Sequence, residues 1–257
     1  MSAPFNKKNG FEMHGIKHIS PSSISGYESN APLWVAEKLL KIKRPAGPPI
    51  HRGNVVEDAV VAVLAGKKLA AVIAAALTKF DALIPLANEK TEKEREGIPA
   101  MIELAVEELH QLGVPEFNID GSQKKVSLVC NGDGWKIPVI GFLDLVYPKH
   151  GLIVDLKTTL KMPSKMMASH RRQRCFYAKA TGNQQVKFLY VTPKKSGWLE
   201  DGDVNEELEN FKTQANRLER FLRVSDDAKY LASIVPVDPT HFYWSDCVEQ
   251  RKELFGI

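Results

Sequence analysis

Two aspartates and a lysine, carried on short apolar runs, are the residues of this 257-residue chain best placed to do chemistry. Asp144 lies in residues 138–147, a run rich in Val, Ile, Leu, Phe and Tyr. After Pro148-Lys149-His150-Gly151 the chain returns through residues 152–157, which hold Asp155 and Lys157. β-forming residues on both sides of a Pro/Gly turn predict a hairpin. If it is symmetric about Lys149 and His150, Asp144 stands opposite Asp155, about 5 Å away on one face. Strand alternation adds Lys157 to that face and turns Leu156 away. Two facing carboxylates repel, so such a pair either shares a proton or holds a cation. Oxygen ligands suit Mg2+ or Mn2+ better than zinc. A half-exposed hairpin in which Asp155 merely pairs with Lys157 carries the same pattern, and the hairpin alone does not choose.

The surrounding elements must position these groups. Residues 1–18 read as a flexible arm. Ser20-Pro21-Ser22-Ser23 then opens a helix with a serine N-cap, broken in two at Asn30-Ala31-Pro32. Another helix starts near Arg52-Gly53-Asn54 and places Glu57 and Asp58 in its first turns, where the helix dipole favours acids whether or not they bind anything. Helical patterns cover residues 67–82 and 98–112, and the charged stretch 88–96 between them reads as a solvated loop or helix end. Strands are expected over residues 125–130, after which Asn131-Gly132-Asp133-Gly134 forms a turn, then over 135–147, 151–158 and 186–192. Gly141 suggests a bend or close backbone approach. A helix over residues 164–181 carries Lys161, Lys165, His170, Arg171, Arg172, Arg174 and Lys179 on or beside it, a positive face that solvent alone would also explain. Gln173 and Tyr177, four apart, share one side of it. Residues 206–224 form an amphipathic helix with core spacing, and Phe242, Tyr243 and Trp244 pack as an outer layer.

Composition narrows the class. With 44% hydrophobic and 26% charged residues the chain is an ordinary globular one, and its net charge of +4 is too small for purely electrostatic nucleic-acid binding. The three cysteines, Cys130, Cys175 and Cys247, build no disulfide framework, zinc knuckle or iron–sulfur quartet, which points to a reducing compartment. The polar start of the chain shows no secretory signal, and the most apolar run, residues 69–77, is too short to span a bilayer. A soluble, cytoplasmic protein is expected.

Four segments in order then carry a resemblance. Arg52-Gly53-Asn54-Val55-Val56-Glu57, Gly141-Phe142-Leu143-Asp144, Val154-Asp155-Leu156-Lys157-Thr158-Thr159 and Gln173-x-x-x-Tyr177 fall on the expected helix, two strands and helix. They resemble the PD-(D/E)XK nuclease superfamily, specifically its RecB-like and phage lambda-exonuclease-like branches, over about residues 19–191. The Ser20-Pro21-Ser22-Ser23-Ile24 opening and Tyr243-Trp244 are similar to phage members more loosely. Two departures stand out. The acid before Lys157 is Asp rather than the commoner Glu. Asn30-Ala31-Pro32 occupies the place of the Cys-Pro that helps hold an iron–sulfur cluster in some relatives, so no such cluster is expected.

The resemblance implies an α/β fold with a restriction-endonuclease-like core, a mixed β-sheet flanked by helices, and extra N- and C-terminal helices. It implies one nuclease domain over residues 19–257, with its core at about 50–192 and a helical extension over 203–257. It implies Mg2+, with Mn2+ as substitute, bound by Asp144, Asp155, Glu57 and the carbonyl of Leu156, with Lys157 completing the catalytic set. Gln173 and Tyr177 would position DNA, Arg171, Arg172 and Arg174 would follow its backbone, and Arg52 would hold a terminal phosphate. The expected activity is a DNA exonuclease of phage recombination or repair type, in the cytoplasm of an infected bacterial host. A ring-forming homo-oligomer and a single-strand annealing or DNA-binding protein are its expected partners. The alternatives are a structure-selective endonuclease and a catalytically silent DNA-binding protein of the same fold.

Overall fold

The computed structural model describes residues 9–42, 46–84, 88–116, 123–128, 137–182 and 184–238, together with residues 240, 244, 249, 252, 255 and 256. The helices are α1 (Gly10–Met13), α2 (Pro21–Ser29), α3 (Ala31–Lys38), α4 (Pro48–Leu64), α5 (Leu69–Leu83), α6 (Glu89–Glu96), α7 (Ile98–His110), α8 (Ala168–Ala180), α9 (Val204–Leu222) and α10 (Ala228–Ile234). The strands are β1 (Lys124–Leu128), β2 (Val139–Leu143), β3 (Leu145–Tyr147), β4 (Leu152–Thr158), β5 (Gln185–Val191) and β6 (Ser196–Leu199). The fold is α/β, with a mixed sheet flanked by helices. The chain divides into two compact units: Met1–Pro45, Ser127–Gly141 and Asp203–Ile257 form one, Ala46–Val126 and Phe142–Gly202 the other. Residues 127–141 group with the terminal segments.

The second unit is built on a sheet of order β3-β4-β5-β6, in which β4 and β5 run parallel and the outer pairs antiparallel. The β3–β4 register is the one symmetric about Lys149 and His150: Leu145 faces Val154, Val146 faces Ile153 and Tyr147 faces Leu152. Pro148–His150 closes the hairpin as a 3-10 turn, and Gly151 takes the left-handed conformation (φ 57°) that leaves it, a backbone state open to Gly at little steric cost. A parallel strand cannot follow β4 by a tight turn, and α8 lies in the crossover to β5. One sheet face, with Val154 and Leu156 of β4 and Leu189 of β5, packs against Val56 and Val60 of α4 and Ile102 of α7 in a continuous apolar core. Each such side chain, fully buried, stabilises the unit by about 1.5–3 kcal/mol. Alternation sends Asp155 and Lys157 to the other face, beside Phe188 and Tyr190 of β5. There His170 of α8 stacks on Phe188, with ring centroids 5.7 Å apart.

Several expectations change. The strand expected over residues 135–147 is two strands: β2 pairs with β1, β3 joins the larger sheet, and the break is a bend at Asp144, not at Gly141. Helix α4 starts at Pro48, four residues before Arg52, because Pro48 and Pro49 supply a first turn with φ already fixed. Glu57 therefore sits in mid-helix, and the helix dipole no longer accounts for it. The charged stretch 88–96 is helix α6, started by a capping box between Asn88 and Thr91. Strand β6 has no counterpart in the sequence reading; Ser196 Oγ and Trp198 Nε1 anchor it by donating to Glu108 of α7 at 2.6 and 2.8 Å.

In the first unit Ser20 caps α2, and Asn30 both ends α2 and caps α3. The arm expected over residues 1–18 is packed from residue 9 onward. Asn9 and Glu12 form a capping box, Phe11 is fully buried, and His14 Nε2 reaches the carbonyls of Leu222 and Ser225 at the end of α9. A Cβ on Gly10 would lie 2.4 Å from the Glu219 carbonyl oxygen, so only glycine allows this approach. Trp244 is buried against Leu33 and Phe255. The Asn131–Gly134 turn, Phe242, Tyr243, Cys130 and Cys247 lie outside the described residues. No helix among the described residues is long and apolar enough to cross a membrane.

Candidate active site

Asp155 and Lys157 project from one face of β4, and Asp155 is wholly buried. The Lys157 ammonium is ion-paired with Asp155 Oδ1, while Oδ2 has no hydrogen-bond partner among the described residues. Lys157 Nζ also lies 5.3 Å from the centre of the Phe188 ring, a favourable place for a cation. Asp144 comes from the bend between β2 and β3. Its Oδ2 accepts the backbone N–H of Leu156 at 3.1 Å, so the peptide between Asp155 and Lys157 fixes the second carboxylate. Glu57, from α4, joins them through Gln123, whose Nε2 donates to Glu57 Oε1 at 2.5 Å and to Asp144 Oδ1 at 3.0 Å.

Electrostatics mark the cluster as strained. Burial, then the charges of Asp155 and Glu57, hold the Asp144 carboxyl well above the usual carboxylate range. Burial and the Asp155 charge raise Glu57, against the pull of its Gln123 hydrogen bond. Burial raises Asp155, opposed by Lys157. Burial alone would lower the Lys157 ammonium, but Asp155, Asp144 and Glu57 together outweigh it and raise its pKa. Three acids crowded around one ammonium leave an excess of negative charge in a poorly screened place.

The donor set is all oxygen, and Asp155 Oδ2 is buried and has no hydrogen-bond partner among the described residues, which fits a hard divalent cation. Among the described residues no three His, Cys, Asp or Glu side chains are already gathered around one ion position. The Gln123 amide stands between two of the acids.

The remaining expected residues divide. Gln173 and Tyr177 do share a side of α8. Gln173 Nε2 donates to the Tyr177 hydroxyl at 2.8 Å, and that hydroxyl donates to the Phe142 carbonyl at 2.5 Å, two residues before Asp144. Tyr177 is buried, so it braces the bend from inside the protein. Arg52 is buried as well and does not present itself to a terminal phosphate: it pairs with Glu94 of α6, and its Nη2 donates to the Thr158 carbonyl at 3.0 Å. Nor do the three arginines of α8 form an open row. Arg171 Nη1 donates to the Met166 carbonyl, Arg172 is buried, and Arg174 reaches the carbonyls of Val186 and Gly202. Lys161, Lys165 and Lys179 stay exposed. The sequence reading passed over Gln123, Phe188 and His170 as site residues, and Glu94 as the partner of Arg52. Only Glu94 was within reach of a pattern, since the Asn88/Thr91 capping box places it on a helix.

Among solved structures the chain is similar to that of the protein SSO0001, at 13% identity over 63% of this chain and 84% of that one, with a TM-score of 0.33, too slight to bear on the fold. No curated protein matches it. The family model described as the PD-(D/E)XK nuclease superfamily matches residues 18–247, a span holding every acid of the cluster and Lys157. The chain belongs to that superfamily of nucleases.

Proposed function

We propose that the chain is a divalent-metal-dependent deoxyribonuclease that degrades DNA from an end, of the RecB-like or lambda-exonuclease-like kind that serves recombination and repair in phages. The observation that carries the metal-dependent part is the union of Glu57, Asp144 and Asp155 around one ammonium, with Asp155 Oδ2 buried and without a hydrogen-bond partner among the described residues. End-directed cutting rests on the resemblance of the four segments to those branches.

Asp144, Asp155 and Glu57, with the Leu156 carbonyl, would hold Mg2+. When bound, that ion lowers the pKa of water and offsets charge on the phosphate. The acids raise the Lys157 pKa, and a cation held between them would lower it again. Lys157 would orient or deprotonate the attacking water, and as an ammonium it would stabilise charge growing on the phosphate oxygens. The Leu156 N–H holds Asp144 in register with both. Gln173, half exposed beside Tyr177, faces the substrate, and exposed Lys161, Lys165 and Lys179 give the phosphate backbone its counter-charge.

The test is digestion of linear duplex, linear single-stranded and closed circular DNA with Mg2+, Mn2+ or EDTA. Linear DNA should shorten from an end with either ion, circles should survive, and EDTA or Asp155→Ala should stop the reaction. Cutting of closed circles would overturn end-directed action, and full activity in Asp155→Ala would overturn the site.

A further inference from the structure

Gln123 precedes β1 and belongs to no segment of the family resemblance, yet its amide nitrogen contacts both Glu57 and Asp144, at 2.5 and 3.0 Å. It is the amide nitrogen that faces an oxygen of each carboxyl group, and it donates to both. A primary amide has two N–H donors and no net charge. Placed between two acids, it answers both with partial positive charge from one atom, as a cation would with full charge. The other donors of the cluster are taken up elsewhere: Lys157 serves Asp155, and the Leu156 N–H serves the second oxygen of Asp144.

We propose that Gln123 is a displaceable stand-in for the divalent cation. In the ion-free protein its amide holds Glu57 and Asp144 together, and the side chain withdraws when an ion takes its place. This inference rests on the metal-site reading above. It makes Gln123 a positioning residue that sets how tightly the site binds its ion, since binding must first give up two hydrogen bonds to charged groups. Crowded carboxylates without a cation repel strongly at low dielectric, and an amide in the gap lessens that repulsion while no ion is there.

The proposal has a direction that a supporting role would reverse. If the amide competes with the ion, removing it leaves Glu57 and Asp144 less well served without metal, and ion binding tightens. If it instead braces the two acids in the ion-bound protein, removing it weakens binding. Free Mn2+ is followed by electron paramagnetic resonance during titration of the full-length wild type, Gln123→Ala, Gln123→Met and Asp155→Ala, with no DNA present. Gln123→Met keeps the volume and discards the donors, so it serves if the alanine variant folds poorly. Gln123→Ala and Gln123→Met should bind Mn2+ about tenfold more tightly than wild type, the equivalent of one lost charge-assisted hydrogen bond. Both should also melt lower in EDTA and gain more on adding Mn2+. Equal or weaker Mn2+ binding in both variants overturns the proposal while leaving the metal site intact. Failure of the wild type to bind Mn2+ more tightly than Asp155→Ala overturns the metal-site reading itself, and the proposal with it.

Discussion

The backbone N–H of Leu156 donates to Asp144 Oδ2 at 3.1 Å, although Asp144 lies in a bend ahead of β3 and not in a strand. Strand β4 thus does two things at one place. Its side chains supply Asp155 and Lys157, and the peptide between them holds the carboxylate from the neighbouring segment. Pairing from Leu145 onward keeps that segment in step, and the break just before it frees Asp144 to turn its oxygen onto the β4 backbone.

Three acids held this closely should cost stability when no cation is present. Asp144→Asn keeps an oxygen for the Leu156 N–H, lets the Gln123 amide turn to accept from the new N–H, and removes a charge from a half-buried group. It should abolish metal-dependent cleavage and, in EDTA, melt higher than the wild type by a few degrees, about 1–2 kcal/mol. Calorimetry in EDTA and in Mn2+ tests both halves; a lower melting temperature in EDTA would show that the acids are not in conflict.

Arg52 and Glu94 predict a different kind of loss. Their side chains are 5% and 10% exposed, so removing one partner strands a buried charge, at a cost of about 3–5 kcal/mol. Arg52→Met and Glu94→Leu should each lower the urea midpoint strongly, whereas the double variant should recover most of the loss. Because Arg52 also ties down the Thr158 carbonyl, next to Lys157, Arg52→Met should reduce cleavage even where it is fully folded. Additive single effects in the double variant would remove the ion pair as their cause.

Legibility in the sequence followed the reach of local signals. The β3–β4 register was readable because apolar runs of similar length flank a Pro/Gly turn, and Asn30 was readable as a break because Pro32 follows it. Glu57 was placed on the right helix but in the wrong turn, since the Gly47-Pro48-Pro49 stretch reads equally as a loop. The arginines of α8 resemble a binding face in sequence because the carbonyls of Met166, Val186 and Gly202 that engage two of them are backbone groups without a sequence signature. Gln123 shows the limit most plainly. A lone glutamine has no spacing to betray it, and its importance arises only when β1 and α4 place it and Glu57 together.

His170 gives the site unit an acid-sensitive point. Burial, then the Lys157 charge, lowers its pKa from 6.5 to about 4, and Nδ1 lies 2.5 Å from the Tyr190 hydroxyl. The unfolded chain takes up a proton near pH 6.5 while the folded one resists until about 4, so the unfolded state binds more protons between those values. The stability contributed by neutral His170 is therefore complete above pH 6.5 and is lost as pH falls toward 4. His170→Asn should flatten part of this slope. Urea midpoints of the wild type and the variant at pH 7, 6 and 5 measure the difference, and parallel curves would show that His170 does not contribute.

Tyr177 and Gln173 look like a matched pair in sequence, but the hydrogen bonds give them different work. Tyr177 is 3% exposed, and its hydroxyl donates to the Phe142 carbonyl while accepting from Gln173 Nε2. Removing that hydroxyl leaves a carbonyl two residues before Asp144 without this donor, at a cost of about 1–2 kcal/mol. The consequence falls on the aim of Asp144, not on contact with DNA. Tyr177→Phe should lower kcat by about tenfold with KM for DNA nearly unchanged, the signature of a misplaced catalytic group. Gln173→Ala, at a half-exposed position, should raise KM more than it lowers kcat. A raised KM in Tyr177→Phe with kcat intact would return Tyr177 to the substrate surface, and would mean that α8 turns its tyrosine outward when DNA binds.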